Sequence, residues 1–312
     1  MLKSFFTGVS KLGKLHPKSD PALHGIEVIE NIPYIDDGSE AHRLDVWRPK
    51  EREGPCPVLI YVHGGAFSIL SKDTHWLMAL LFARLGFVVF NINYRLAPKH
   101  PFPAAIEDAC TAAVWVTKHA SEYGGDRDRM VFSGESAGGN LSLSMALACC
   151  YERPEPWAKA LFDANPGLLA ILPACGLLEA GNLKRFKESG KVSPFVLDRM
   201  ATAELNYLPK SLPPELDTAL ANPLVFLEEG HQPQRPLVPT CAIVGTKDPL
   251  LYDTRRLKTA LDKLGVPCEA HYYDGGLHGF HAFLFDSRAR ASWRDQFAFL
   301  HEHVEGLRDA RV

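Results

Sequence analysis

The sequence has little of what marks several large classes of protein. No apolar run approaches the roughly 18–20 residues that cross a bilayer, so we predict no membrane span. The chain has 34 Lys and Arg against 37 Asp and Glu, a formal net charge of −3, and no concentrated basic stripe. Because phosphate binding requires clustered cations, this balance argues against nucleic acid as a partner.

Cysteine usage and the first residues bear on the compartment. The seven cysteines are an odd number and have no C-x-x-C spacing, which predicts reduced, mostly buried thiols. Residues 1–9 begin like a signal peptide, but Lys11 and Lys14 interrupt the apolar region and no small-x-small cleavage site follows. We therefore expect a cytoplasmic protein. The sequence leaves its oligomeric state open, with a homo-oligomer as one outcome.

What the sequence does contain is a regular alternation of strand and helix patterns. A composition of 46% hydrophobic and 23% charged residues is typical of a soluble globular protein with a sizeable core. Residues 58–62 and 87–92 are uninterrupted apolar runs, as in strands buried on both faces of a parallel sheet, and residues 76–85 between them have a helical pattern. Further strands are predicted at residues 25–29, 42–47, 130–133, 168–172, 241–245 and 269–273, and helices at residues 103–123, 140–150 and 253–264. The alternation predicts an α/β fold with a mostly parallel central sheet, helices on both faces, and functional sites at the carboxyl ends of the strands.

One interval, residues 177–230, breaks this rhythm. It has short helix and loop patterns and no strand, so we interpret it as an insertion that lies over the site within a single domain spanning residues 1–312. Such a lid would supply walls of a substrate pocket. Several large apolar residues are candidates for pocket lining, although each also suits core or cap packing: Phe67, Trp76, Phe195, Leu197 and Tyr207.

The stretch from Gly134 to Gly138 is the strongest single motif. Ser136 has glycine two residues away on each side, as in a nucleophile elbow, where a strand turns directly into a helix and only small neighbours fit. An apolar run precedes it and a small, apolar helical pattern follows. The pattern predicts that Ser136 is an exposed nucleophile.

An activated serine needs a base and an acid, and each has a candidate in the expected chain order. His278 lies in a glycine-rich loop after the last predicted strand, with His281 as its rival for the base. Asp248 follows the predicted strand at residues 241–245 and is the candidate acid. Asp253, the other nearby carboxylate, better suits the N-cap of the following helix.

The oxyanion of an acyl-transfer reaction also needs N–H donors. The run His63-Gly64-Gly65-Ala66-Phe67 follows a predicted buried strand, and its glycines allow a substrate carbonyl close to the backbone. We predict an oxyanion hole from the backbone N–H groups of Gly64, Gly65 and Ala137.

At this point the chain resembles the hormone-sensitive-lipase-like branch of the α/β-hydrolase esterases. The motifs that carry the resemblance are His63-Gly64-Gly65-Ala66-Phe67, Tyr94-Arg95-Leu96-Ala97-Pro98 with Pro101-Phe102-Pro103-Ala104-Ala105, Gly134-Glu135-Ser136-Ala137-Gly138-Gly139-Asn140, Asp248-Pro249-Leu250 and His278-Gly279-Phe280. The resemblance implies a triad of Ser136, Asp248 and His278, the oxyanion hole given above, and no cofactor or metal. It also implies a helical cap formed by about residues 1–40 and 177–230.

Three residues depart from the family pattern. Ala66 stands where a third glycine is usual, Glu135 where aspartate is usual, and Lys99 where glutamate is common. Ala66 bears on the width of the pocket for bulky alcohol groups and Glu135 on contacts behind the elbow. Glu135 also resembles the elbow of the larger type-B carboxylesterases, but the aspartate and histidine motifs favour the smaller branch.

The expected function is hydrolysis of short- to medium-chain carboxylic esters through an acyl-serine intermediate, with a small-molecule ester as the partner. Two alternatives stay open. An amidase or formamidase would use the same triad. A non-catalytic receptor of the same fold, like the gibberellin receptor, lacks the triad histidine, whereas this chain has His278.

Overall fold

A computed structural model of the chain describes residues 7, 8, 10, 12–182, 184–188 and 192–310. Its centre is an eight-stranded sheet with the strand order β1-β2-β4-β3-β5-β6-β7-β8. The strands are β1 (Ile26–Pro33), β2 (Arg43–Pro49), β3 (Cys56–Val62), β4 (Val88–Ile92), β5 (Gly125–Glu135), β6 (Leu168–Ala174), β7 (Thr240–Gly245) and β8 (Cys268–Tyr273).

The sheet is mostly parallel, as predicted. Strands β1 and β2 pair antiparallel with each other, and β2 pairs antiparallel with β4. Every other pairing, from β4 through β3, β5, β6 and β7 to β8, is parallel. The carboxyl ends of β3, β5, β6, β7 and β8 therefore lie along one edge of the sheet, where α/β proteins build their sites.

Helices cover both faces of the sheet, as the apolar runs predict. They are α1 (Trp76–Arg84), α2 (Ala104–His119), α3 (Ala137–Cys150), α4 (Pro156–Ala164), α5 (Lys184–Glu188), α6 (Pro194–Tyr207), α7 (Pro223–Glu228), α8 (Leu251–Lys263) and α9 (Ser287–His303). Short 3-10 helices occur at Pro17–Ser19, Pro21–His24, Glu40–His42, Lys72–Thr74, Ala120–Tyr123, Ala219–Ala221 and Phe280–Ala282.

The core is divided into two clusters by the sheet. Along β3, Val58, Ile60 and Val62 belong to the cluster that contains buried residues of α2, α3 and α8. Leu59 and Tyr61 belong to the cluster that contains α1 and α9. Successive side chains of a strand point to opposite faces, so an uninterrupted apolar strand fills both clusters at once.

Some element bounds differ from those predicted. Strand β5 begins at Gly125, five residues before the apolar run, because Gly125 and Asp126 pair with the start of β3 although the segment is polar. The helix predicted at residues 103–123 ends at His119 and continues as a 3-10 turn. The start of β5 is therefore set by backbone pairing and not by the burial of its side chains.

Helices α5, α6 and α7 lie between β6 and β7, and the described residues of that interval contain no strand. The interval is bonded to α3: the Asn140 side-chain amide donates to the carbonyls of Leu177 and Ala221, and Ser144 donates to that of Leu220. The expectation that residues 1–40 join it in a cap falls partly outside the described residues. In the part of the chain that the structure describes, no helix has the length and apolar character needed to cross a membrane.

Candidate active site

The turn at Ser136 has the strained geometry of an elbow. Strand β5 ends at Glu135 and α3 begins at Ala137, so Ser136 joins them directly, with φ 53° and ψ −114°. A Cβ atom on Gly138 would lie 2.0 Å from the Val62 carbonyl oxygen, and one on Gly134 would lie 2.4 Å from the carbonyl oxygen of Gly138. Both positions therefore require glycine, and the tight packing of β3 against the turn holds Ser136 in a conformation that non-glycine residues rarely adopt.

The three predicted side chains come together at the ends of β5, β7 and β8. Ser136 Oγ lies 3.0 Å from His278 Nε2, and His278 Nδ1 lies 2.9 Å from Asp248 Oδ2. The other oxygen of Asp248 accepts from the N–H of Leu250 at 2.8 Å. The carboxylate is therefore fixed from both sides, and the imidazole bridges it to the serine hydroxyl.

The charges around His278 favour its protonated form. Burial lowers the pKa of His278, but the Asp248 carboxylate outweighs burial, and with the neighbouring Cys175 sulfur it raises the pKa well above its ordinary value. The side chain of His278 is still 41% exposed, whereas that of Asp248 is buried. The Asp248 carboxylate thus stabilises the protonated imidazole of His278, and part of the ring is exposed to solvent.

The loop after β3 is fixed by aromatic packing at its first residue, His63. His63 is buried and stacks on Tyr94 at 4.2 Å between ring centroids, and the Tyr94 hydroxyl donates to the His63 carbonyl at 2.9 Å. Burial and the nearby His75 lower the pKa of His63 to about 3, so its ring is neutral and Nδ1–H donates to the Gly64 carbonyl at 2.7 Å. The loop then turns through Gly65 at φ 115° and Ala66 at φ 52°.

The N–H of Gly64 has a partner within the protein. It lies 3.3 Å from His75 Nε2, and the same nitrogen lies 3.1 Å from Glu135 Oε1. One ring nitrogen serves one of these two groups at a time: unprotonated, it accepts from Gly64, and protonated, it donates to Glu135. The protonation of His75 Nε2 therefore decides whether the Gly64 N–H is free for another acceptor.

Glu135 also contacts the predicted rival base. His281 Nε2 lies 3.0 Å from Glu135 Oε2, and the side chain of His281 is 2% exposed. The glutamate side chain is 14% exposed. His281 therefore faces Glu135 behind the elbow, and His278, three residues earlier, faces Ser136.

The predicted N-cap role of Asp253 is wrong. The N-cap of α8 is Leu250, and Asp253 lies inside the first turn, fully buried. Its carboxylate accepts from the Arg185 guanidinium at 2.7 Å and from the N–H of Leu178 at 3.0 Å. A buried carboxylate needs such partners, and here they come from the insertion, about 70 positions away in the chain.

Sequence reasoning missed one residue beside the triad, Cys175. Cys175 follows β6 directly and is buried. Its sulfur, a carboxylate oxygen of Asp248 and a ring nitrogen of His278 all lie within 4.8 Å of one another. The only signal in the sequence was its position at the end of a buried strand, because nothing in the pattern brings the end of β6 to the histidine loop.

Of the residues predicted as candidates for pocket lining, most are packed in the interior and one is exposed. Phe67 is buried and stacks on Tyr207 at 3.7 Å between ring centroids, so these two residues pack helix α6 on the loop after β3. Trp76 belongs to the core cluster with α1 and α9. Leu197 is half-buried against the other cluster, and Phe195 is 63% exposed.

A surface cleft of about 950 Å³ lies beside His63. It is lined by residues between Asp37 and His42, by residues 93–100, and by His63, Leu70 and Ser71. None of the three triad candidates lines this cleft.

Comparison with known proteins identifies the family of the chain. Residues 59–282 match a family described as alpha/beta hydrolase fold. The versiconal hemiacetal acetate esterase of Dothistroma septosporum is 28% identical over 285 residues, which cover 89% of this chain and 80% of that protein. The carboxylesterase NlhH of Mycobacterium tuberculosis is 45% identical over 101 residues, only 32% of this chain and 31% of that protein.

The solved structure of a bacterial heroin esterase superposes with a TM-score of 0.79 at 23% identity, over 97% of this chain and 91% of that one, and supports the fold. The family match, the esterase relatives and the shared fold lead to one assignment. The chain belongs to the hormone-sensitive-lipase-like family of the α/β-hydrolase fold, and it is a carboxylic ester hydrolase.

Proposed function

We propose that the chain is a serine carboxylesterase that hydrolyses short- to medium-chain esters through an acyl-Ser136 intermediate. The observation that carries this proposal is the continuous contact from Ser136 through His278 to Asp248, at 3.0 and 2.9 Å. Those distances are within hydrogen-bond reach of a nucleophile, its base and the group that orients the base.

In the acylation step, His278 Nε2 takes the proton of Ser136 as Oγ attacks the ester carbonyl carbon. The Asp248 carboxylate stabilises the imidazolium through Nδ1, in keeping with the raised pKa of His278. The imidazolium then protonates the leaving alcohol as the ester C–O bond breaks. A water molecule repeats the sequence in deacylation, with His278 as its base, and releases the acid and free Ser136. The cycle uses no cofactor.

The oxyanion would be held by backbone N–H groups of Gly65, Ala137 and Gly64. Ala137 is the first residue of α3, where N–H groups have no partner within the helix and the helix dipole favours negative charge. The Gly64 N–H joins them in the state in which His75 Nε2 donates to Glu135. Donors of this kind contribute about 3–4 kcal/mol each to transition-state binding.

The insertion at residues 177–230 would form the cap over this site, together with part of about residues 1–40. What supports this role is the stacking of Tyr207 in α6 on Phe67 in the oxyanion loop. The seven cysteines are free thiols, which supports a cytoplasmic location. The partner would be a small ester, without nucleic acid.

Substitution Ser136→Ala tests the nucleophile. Loss of one member of such a triad costs about 10⁴–10⁶ in kcat, so hydrolysis of p-nitrophenyl butyrate should fall to near the background rate. Ser142→Ala is the matched control, because Ser142 is buried in α3, the helix that begins directly after Ser136, and its hydroxyl donates to the Gly139 carbonyl of its own turn. Near-wild-type turnover by Ser136→Ala would sink the proposal, and a fluorophosphonate should label the wild type and the control but not Ser136→Ala.

The substrate class needs its own experiment. We expect a higher kcat/KM on p-nitrophenyl esters than on matched anilides, and, across acyl lengths from acetate to laurate, a maximum at the short to medium members. A preference for the anilide would favour an amidase with the same triad.

A further inference from the structure

Cys175 lies beside Asp248 and His278, but the proposed mechanism gives it no role. Its backbone is fixed at the end of β6, with φ 38° and its N–H donating to the Ile243 carbonyl at 2.7 Å. Its sulfur, a nitrogen of His278 and an oxygen of Asp248 lie within 4.8 Å of one another. Three neighbouring strand ends, those of β6, β7 and β8, therefore bring a thiol, a carboxylate and an imidazole to one point.

This set of ligands matches the chemistry of a thiophilic divalent cation. Zinc and cadmium take thiolate, imidazole and carboxylate ligands, and a thiolate and a carboxylate together balance a charge of +2. A tetrahedral zinc ion holds such ligand atoms about 3.3–3.6 Å apart, so movements of about 1 Å by side chains would close the cluster around an ion. Three protein ligands would leave a fourth position for water or for Ser136 Oγ.

We propose that Cys175, Asp248 and His278 form a binding site for zinc or cadmium, and that an ion bound there inhibits the enzyme. On binding, the Cys175 thiol releases its proton to solvent and its sulfur bonds to the metal. The ion reaches the buried sulfur and carboxylate from the side of His278, whose ring is 41% exposed.

Inhibition follows from how the imidazole is used. Nδ1 is bonded to Asp248 and Nε2 to Ser136, so a metal on either nitrogen replaces one of the two hydrogen bonds of the triad. A metallated imidazole also cannot accept the serine proton. This consequence rests on the proposed function, whereas the binding of the ion does not.

Binding is tested without turnover in the Ser136→Ala variant. Titration with cadmium should produce the ultraviolet thiolate-to-metal absorption with one site per chain, and the double variant Ser136→Ala/Cys175→Ser should lose that site. Cys268→Ser in the same background is the matched control, because Cys268 is a half-buried cysteine on β8, outside the cluster. A site that persists in the Cys175 variant, or disappears in the Cys268 variant, would overturn the assignment of the ligands.

Inhibition is tested on the active enzyme freed of metal with a chelator. Zinc should inhibit p-nitrophenyl butyrate hydrolysis, EDTA should reverse the inhibition, and magnesium, which avoids thiolates, should have no effect. Loss of even an outer-shell partner lowers metal affinity by about 10–100-fold, so Cys175→Ser should raise the inhibition constant at least that much, measured against its own uninhibited rate. Equal inhibition of wild type and Cys175→Ser would refute the assignment of Cys175 as a ligand, and absence of both binding and inhibition would refute the whole proposal. Binding in Ser136→Ala without inhibition of the wild type would refute the inhibitory consequence and would leave the catalytic roles to the Ser136→Ala turnover experiment.

Discussion

Glu135 precedes the proposed nucleophile, and its carboxylate is shared by two histidines from distant parts of the chain. His75 comes from the segment before α1, and His281 comes from the loop that carries His278. Since His75 also reaches the Gly64 N–H, Glu135 links the elbow to both the loop after β3 and the loop that carries His278. The departure from the family pattern at this position is thus a side chain with defined partners.

The charge of Glu135 should contribute stability that depends on pH. Burial raises the pKa of Glu135, but the charge of His75 and the contacts with both histidines outweigh it and hold the pKa well below its usual range. A carboxyl with a depressed pKa in the folded state stabilises the fold above its unfolded pKa, about 4.3, and loses that contribution as the pH falls through the folded pKa. The advantage of wild type over Glu135→Gln should therefore be about 2 kcal/mol at pH 7 and shrink below about pH 4.3.

Urea unfolding of both proteins at pH 7 and through the range from pH 5 to pH 3 measures this difference. Glu302→Gln is the control, because Glu302 is exposed on α9 and a substitution there should change stability by less than about 0.5 kcal/mol. A difference between wild type and Glu135→Gln that stays constant down to pH 3 would show that shape, and not charge, accounts for the role of Glu135.

Substitutions of Asp248 and Asp253 should have different effects, the first on catalysis and the second on stability. Asp248→Asn keeps the shape of the side chain but removes the charge that stabilises the His278 imidazolium, so kcat should fall by about 10⁴. Asp253→Asn instead weakens the buried bond to Arg185 and should lower the free energy of unfolding by about 3–5 kcal/mol. Steady-state kinetics and urea unfolding of both variants test the contrast, and an equal loss of kcat in the two variants would argue against Asp248 as the triad acid.

At the scale of elements, the end of α6 is packed on the loop after β3. The Tyr207 ring is parallel to that of Phe67, with 3° between the planes, and meets Phe102 edge-on at 5.7 Å. The Tyr207 carbonyl accepts from the Phe102 N–H at 2.8 Å, and the Tyr207 hydroxyl is buried without a hydrogen-bond partner among the described residues. The ring therefore stabilises the contact, and the hydroxyl costs free energy.

Opposite effects should follow when the ring and the hydroxyl of Tyr207 are removed separately. Tyr207→Phe relieves a buried polar group and should leave stability unchanged or raise it by about 1 kcal/mol. Tyr207→Ala removes the ring and should lower stability by about 3–5 kcal/mol. It should also lower kcat, because Phe67 loses its support in the loop that carries the proposed oxyanion donors. Thermal unfolding and kinetics on p-nitrophenyl butyrate would measure both. If Tyr207→Phe loses as much activity as Tyr207→Ala, the hydroxyl has a partner in the substrate.

Elements that are buried on two faces were predictable, because an uninterrupted apolar run as short as that of β3 is typical of a strand inside a parallel sheet. The polar start of β5 was not predictable, since its residues are in the sheet through backbone pairing with β3. The elbow at Ser136 could be predicted from the sequence because close contacts within the turn require glycine on both sides of the serine. The partners of Glu135 and the position of Cys175 could not be predicted from the sequence, because they depend on which loops meet at the edge of the sheet.

At the scale of the whole molecule, the sheet order explains why so few strands supply the whole site. β3, β5, β6, β7 and β8 are adjacent and parallel, so their carboxyl ends form one continuous edge. The insertion leaves the sheet at the carboxyl end of β6, on that edge, and the chain returns to the sheet at the amino end of β7, which lies toward the opposite edge. The insertion therefore begins beside the candidate site, and it is bonded to α3 and α8, the helices that begin after Ser136 and Asp248.

We therefore expect the insertion to unfold with the sheet and not before it. Asn140 and Ser144 of α3 donate to carbonyls of the insertion, and Arg185 of α5 bonds to Asp253 of α8. Breaking these contacts would leave buried polar groups without partners, which is costly enough to couple the two regions. Amide hydrogen exchange in graded urea, followed by mass spectrometry, should show the amides of α7 losing protection at the same urea concentration as those of α3. Substitution Asn140→Ala, which removes two of the bonds, should separate the transitions by exposing α7 first, whereas loss of α7 protection well below that of α3 in the wild type would mean that the insertion is an independent unit.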